Sequence, residues 1–104
     1  MIKAPSKPTL KKYGLSEKEW LDMLASQGGV CAICKLVPKT ERFVTDHEHE
    51  KGWKKKPPEL RKLAVRGILC WWCNATYLGR GINIDKAKNV VKYLEEYAAK
   101  RTNG

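Results

Sequence analysis

Two cysteine pairs, Cys31-Ala-Ile-Cys34 and Cys70-Trp-Trp-Cys73, constrain this chain more than any other feature. A two-residue spacer lets both sulfurs of a pair reach one ion from a tight turn, and two such pairs offer Zn²⁺ a complete tetrahedral sulfur shell. The spacing therefore predicts one closed, structural zinc site made by Cys31, Cys34, Cys70 and Cys73. Two disulfides are the alternative, but the chain begins with no apolar signal segment, and paired C-x-x-C units in a basic protein favour metal. A chain of 104 residues is expected to form one domain with a thin core, for which such an ion is a natural staple.

Both histidines lie between the pairs, in Asp46-His47-Glu48-His49, and Asn74 directly follows the last cysteine. Twenty-one Lys and Arg against eleven Asp and Glu leave a net charge of +10, which points to a polyanionic partner, with nucleic acid first. An anionic membrane surface is the weaker reading, because no apolar run approaches the roughly 20 residues of a spanning helix.

Residues 1–15 carry Lys3, Lys7, Lys11 and Lys12 among Pro5 and Pro8 without apolar periodicity, and read as an extended, flexible basic arm. Ser16 and Glu19 have the spacing of a capping box, so a helix is expected from Glu17 to Gln27, with Trp20, Met23, Leu24 and Gln27 on one face and Gly28-Gly29 ending it. Arg42 to His47 and Val65 to Leu69 read as two partner strands. The connection from Glu48 to Ala64 is long enough to be either functional or disordered. Asn74 to Leu78 reads as a short helix closed by Gly79. A last helix is expected from an Asp85 cap to about Lys100, and residues 101–104 as a disordered tail. The zinc-stabilised domain then covers residues 16–100. At least one of Trp71 and Trp72, lying between zinc ligands, is expected in the core.

Taken in order, Cys31-Ala-Ile-Cys34, Asp46-His47-Glu48-His49, Val65-Arg66-Gly67-Ile68-Leu69-Cys70 and Cys73-Asn74 followed by Leu78-Gly79 resemble the recombination endonuclease VII branch of the HNH, or His-Me finger, nucleases. The resemblance spans about Ser16 to Tyr97. It implies a small α+β fold in which a ββα-metal motif, two strands and a short helix around a catalytic divalent ion, is pinned by a separate four-cysteine zinc and flanked by an N-terminal and a C-terminal helix. It further implies a metal-dependent DNA endonuclease, with Asp46 and Asn74 supplying oxygen ligands to Mg²⁺ or Mn²⁺ and with 5′-phosphate and 3′-hydroxyl products. His47 is the expected general base, since an ordinary imidazole is largely neutral at working pH. His49 would share the side of His47 and either bind the scissile phosphate or serve the fold. Arg66 reads as a phosphate clamp or as an ion-pair partner of an acid. Trp53 with Lys54, Lys55 and Lys56 either stacks on a base and neutralises phosphates or forms a solvated loop.

Tyr77 stands where some relatives carry an acid, which leaves the ion two protein ligands. The short region after the last helix favours nicking or non-specific cleavage over junction resolution. A non-catalytic, zinc-containing nucleic-acid-binding module is the competing function, and docking on a larger phage or bacterial DNA-processing complex is a third. By the same resemblance the expected location is inside a bacterial or phage-infected cell.

Overall fold

In a computed structural model the chain is a small α+β protein, described over residues 2–79 and 81–103. Two compact units divide it, Met1–Asn74 and Ala75–Gly104. The first contains helices α1 (Lys7–Tyr13) and α2 (Glu17–Ser26), strand β1 (Phe43–His47), helix α3 (Pro58–Arg61), strand β2 (Val65–Cys70) and the single-turn helix α4 (Trp71–Cys73). A π-helical turn, Asn74–Leu78, starts on the last residue of this unit.

The N-terminal segment differs from the extended arm expected. Residues 7–13 can be helical because Pro8 lies in the first turn, where its missing N–H costs nothing, and Gly14 takes the left-handed conformation at the C-terminus; Ser6 at the N-cap position pairs its hydroxyl with that of Thr9 at 3.1 Å. Gly14 and Leu15 return their amides to Lys11 and Leu10, closing the helix in the Schellman pattern. Prolines that would break a helix in its middle here mark its beginning. Leu10 is buried, and with Leu15, Trp20, Leu24 and Ile68 it makes the core. Burying each such side chain contributes on the order of 1.5–3 kcal/mol.

Helix α2 has the capping box its sequence predicts. Ser16 Oγ accepts from the Glu19 amide at 3.0 Å, and the Glu19 carboxylate accepts from the Ser16 amide at 2.9 Å. At its other end Gly28 and Gly29 are both left-handed, with φ of 78° and 74°, and their amides bond to Ala25 and Leu24. Gln27 then ties this turn to the sheet. Its Oε1 accepts from the Ile68 amide at 2.9 Å, while Nε2 donates to the carbonyls of Ile68 at 2.8 Å and Val30 at 3.0 Å. One amide side chain thus replaces a missing third strand beside β2 and sets the approach of the first cysteine pair.

The two strands are antiparallel, with Phe43 opposite Cys70 and Asp46 opposite Gly67. Trp20 is buried beneath them and donates its indole N–H to Thr45 Oγ1 at 3.0 Å. The connection between the strands is ordered into short elements: a 3-10 turn at Trp53–Lys55, α3, and a second 3-10 turn at Lys62–Ala64. Its anchor is Trp53, 3% exposed. The tryptophan expected inside from the second cysteine pair is absent from the core, since Trp71 is 67% and Trp72 56% exposed. In a one-turn helix whose Cys73 faces inward, the two residues between the ligands are carried outward.

The second unit contains α5 (Ile84–Asn103). Its N-cap is Asn83, whose Oδ1 accepts from the Lys86 amide at 2.8 Å, rather than Asp85, which falls inside the first turn. The helix continues to Asn103, into the tail expected to be disordered; Gly104 lies outside the described residues. Among the described residues no helix is long and apolar enough to cross a membrane.

Replacing Gly14 by Ala should destabilise the first unit by more than about 1 kcal/mol, because the position is left-handed and a Cβ would run into the Pro58 carbonyl oxygen. Gln27→Ala should cost about 2–3 kcal/mol through the three bonds it abandons. Chemical denaturation of both variants measures this, and Ala at exposed Ser26 is the reference.

Candidate active site and cysteine cluster

The first cysteine pair sits in a turn held by the Cys31 amide bonding to the Leu36 carbonyl and the Lys35 amide to the Cys31 carbonyl, both at 3.0 Å. The second pair spans the end of β2 and α4, where Cys70 is the N-cap and accepts the Cys73 amide on its sulfur. Ala32 bonds to the Ile68 carbonyl and so lays the first turn against β2. The result is four sulfurs all within 4.8 Å of one another, with Cys34 and Cys70 at 4.0 Å. Tetrahedral zinc with bonds of about 2.3 Å places its sulfurs about 3.8 Å apart, so the cluster fits the ion. Burial pushes the Cys31 thiol up, but backbone hydrogen bonds from Cys70, Cys34 and Ile33 outweigh it and bring the thiol down to about 6. Burial and the neighbouring sulfurs push Cys73 up. Such a crowd of sulfurs favours a cation that takes the thiolates together.

Asp46 and His47 occupy the end of β1. The ladder is irregular there: Asp46 faces Gly67 and His47 faces Val65, so Arg66 is an extra residue on β2. A bulge of this kind re-aims a side chain. Arg66 reaches across to Asp46, with Nε at 2.8 Å from one carboxylate oxygen and Nη2 at 3.0 Å from the other. Asp46 is only 6% exposed, so its charge is balanced inside the protein. Of the two roles open to Arg66, ion pairing is the one this geometry shows.

His47 is half-buried in an aromatic stack. Trp53 lies parallel to it, with ring centres 4.0 Å apart and planes 20° from parallel. Tyr13, delivered by α1, stands 5.6 Å from the imidazole and 5.7 Å from the indole. Trp53 is locked in turn by its indole N–H, which donates to the Arg61 carbonyl at 3.0 Å. Of the two readings open for Trp53, a solvated loop does not hold, since the indole is buried, and the face that the other reading gave to a base carries the imidazole. His49, exposed, comes within 4.7 Å of the His47 ring, on the side expected. Burial lowers the His47 pKa, the nearby His49, Lys12 and Arg66 charges lower it further, and Asp46 opposes them. Burial and then the Asp46 charge push the Tyr13 hydroxyl up.

The remaining expected residues come from two other segments. Asn74 is half-buried and opens the π-helical turn immediately after Cys73. Lys54 and Lys55 are exposed in their 3-10 turn, whereas Lys56 is paired with Glu50 at 2.8 Å. Tyr13 was not among the sequence candidates. The Ser6, Pro8 and Gly14 punctuation around it is the signal that a helix, and not an arm, precedes α2.

A family model described as recombination endonuclease VII matches residues 6–96. The Gene 59 protein of Mycobacterium phage D29 is 31% identical over 97 residues, 91% of this chain and 52% of the phage protein. The Gene 59 protein of Mycobacterium phage L5 is 33% identical over 87 residues, 82% of this chain and 46% of its own length. The chain thus spans about half the length of these curated relatives. No solved structure gives a significant match.

The protein should bind one zinc per chain, read by native mass spectrometry, and chelation should melt the secondary structure of the first unit, read by circular dichroism. Full zinc loading of a Cys34→Ser/Cys73→Ser variant would contradict this site. The His47 imidazole should titrate below the usual value near 6.5 in an NMR titration. Because the folded pKa is lowered, the unfolded chain protonates first as pH falls through that value, so this group's contribution to stability is present above it and is lost below. Trp53→Leu, which opens the imidazole to water, should move the midpoint upward.

Proposed function

We propose, since the chain belongs to the recombination endonuclease VII family, that it is a metal-dependent DNA endonuclease of the HNH type, with His47 activating water beside Asp46 and Asn74. The observation that carries this reading is the half-buried, uncharged-leaning imidazole of His47 fixed between aromatic rings and next to a buried carboxylate. A protein that only binds nucleic acid has no use for an imidazole whose charge is suppressed, because a cation would serve it better.

The donor set suits a hard divalent ion. Asp46 and Asn74 offer carboxylate and amide oxygens, and a carboxylate oxygen that accepts from Arg66 keeps a second lone pair for a ligand bond. When bound, Mg²⁺ or Mn²⁺ supplies charge stabilisation to the phosphate and to the departing 3′ oxygen.

The protein's own groups do the rest. Neutral His47 takes a proton from water as the water oxygen attacks phosphorus and the bond from phosphorus to the 3′ oxygen breaks; that oxygen takes a proton from solvent, leaving 5′-phosphate and 3′-hydroxyl ends. Trp53 and Tyr13 fix the plane of the imidazole, so its nitrogen lone pair is oriented before substrate arrives. Arg66 holds Asp46 in one rotamer and keeps its buried charge from drawing His47 into the protonated state. His49, exposed beside His47, is suited to contact a phosphate oxygen, and Lys54 and Lys55 to neutralise the backbone. The four-cysteine zinc is structural in this scheme. The setting is the interior of a phage-infected bacterium, where the phage relatives are made and DNA is at hand.

Plasmid nicking by zinc-loaded protein, with and without added Mg²⁺ or Mn²⁺, tests the proposal. The wild type should convert supercoiled to open-circular or linear DNA only with added ion, and His47→Ala should be slower by about 10²–10⁴-fold. If neither protein cuts while both bind DNA, the chain is a zinc-containing binding module.

A further inference from the structure

The aromatic stack at His47 has a second side. Trp53 also lines a cavity of about 440 Å³ whose other walls are Pro8, Lys11 and Lys12 from α1, Lys54, and Arg61 from α3. Four of these six residues are cations and none is an acid. A concave surface of one charge sign concentrates field and attracts the opposite charge.

The wall is built and not merely decorated with lysines. Arg61 donates from Nη2 to the Lys11 carbonyl at 3.1 Å, and its own carbonyl receives the Trp53 indole N–H, so α1, α3 and Trp53 are joined through one residue. Arg61 Nε is buried and, among the described residues, is the side-chain polar atom left without a hydrogen-bond partner. Lys11, Lys12 and Lys54 have exposed side chains available for further contacts. Lys12 lies 5.5 Å above the Tyr13 ring, the ring that contacts His47, and its charge is felt at the imidazole.

We infer that this cavity is a subsite for the DNA phosphate backbone flanking the scissile bond, with helix α1 as one of its walls. The inference rests on the nuclease reading for the position of the scissile bond, but the phosphate-binding chemistry stands on the cavity alone. Trp53 is its partition: the indole orients the base that activates water and walls the groove that holds the strand. Helix α1 is then part of the substrate-binding apparatus as well as of the core, and the basic residues ahead of α2 are a structured surface.

The test is binding of a fluorescein-labelled 20-base-pair duplex to the zinc-loaded full chain by anisotropy, without added Mg²⁺ or Mn²⁺, across a salt series. Lys11→Gln/Lys54→Gln removes two phosphate contacts at exposed positions, and the slope of log affinity against log salt should become shallower by about 1.8. Lys35→Gln/Lys39→Gln, an equal loss of charge on the loop after the first cysteine pair, should keep the wild-type slope. A wild-type slope in the first variant overturns the subsite, and so does an equal loss of slope in the second, which would reduce the effect to net charge. A wild type that fails to bind DNA overturns it as well. If the slope falls as expected but the wild type does not cut a plasmid when ion is added, the subsite stands and the nuclease reading falls.

Discussion

Four sulfurs drawn within 4.8 Å of one another are the contact on which the rest of the first unit depends, since they join segments 36 positions apart in the chain. Among the described residues the main apolar cluster is five buried side chains with a partly buried fringe, and a two-stranded sheet alone is marginally stable at best in water. Closing the long loop between the cysteine pairs is entropically unfavourable, and a metal ion held by the four thiolates would offset that with a few strong bonds where packing would need a larger core. Gln27 supplements the cluster with directional bonds where a third strand would otherwise lie.

Pinned at Cys70, the sheet is free to be irregular at its other end. The bulge at Arg66 is placed there, and it converts a ladder position into an ion pair between the exposed Arg66 and the buried Asp46. A buried carboxylate without that partner would be costly, and the Arg66 charge also lowers the His47 pKa against the pull of Asp46. The pair therefore serves the imidazole as much as the aspartate: with its charge balanced locally, Asp46 leaves burial as the dominant influence on His47. Burial in turn comes from Trp53 and Tyr13, which arrive from opposite sides of α2 and β1 in sequence. The chemistry of one histidine is thus set by four segments of chain.

The charge of the protein acquires a location from the same packing. A net +10 spread evenly would give a weak, diffuse attraction. Helix α1 and the connection between the strands instead gather Lys11, Lys12, Lys54 and Arg61 around one cavity adjoining the His47 stack, while Lys56 is neutralised by Glu50. Catalytic and strand-holding functions, on this reading, share the Trp53 wall.

The cysteine spacing, the capping box of α2, the glycine pair that ends it, the two strands and the terminal helix were all legible in the sequence, because each is specified by residues within a few positions of one another. So was the family, through ordered short motifs. Helix α1 was equally local, but Pro5 and Pro8 read as breakers although Pro8 lies in a first turn, the one place in a helix where a missing N–H is harmless. Tertiary structure alone decided that Trp53 covers His47, that Trp71 and Trp72 face outward, and that Arg66 closes on Asp46. Those outcomes follow from how the long connection folds back and from a one-residue shift in strand register, and no spacing along the chain encodes which of several aromatic or basic side chains will fill a given space.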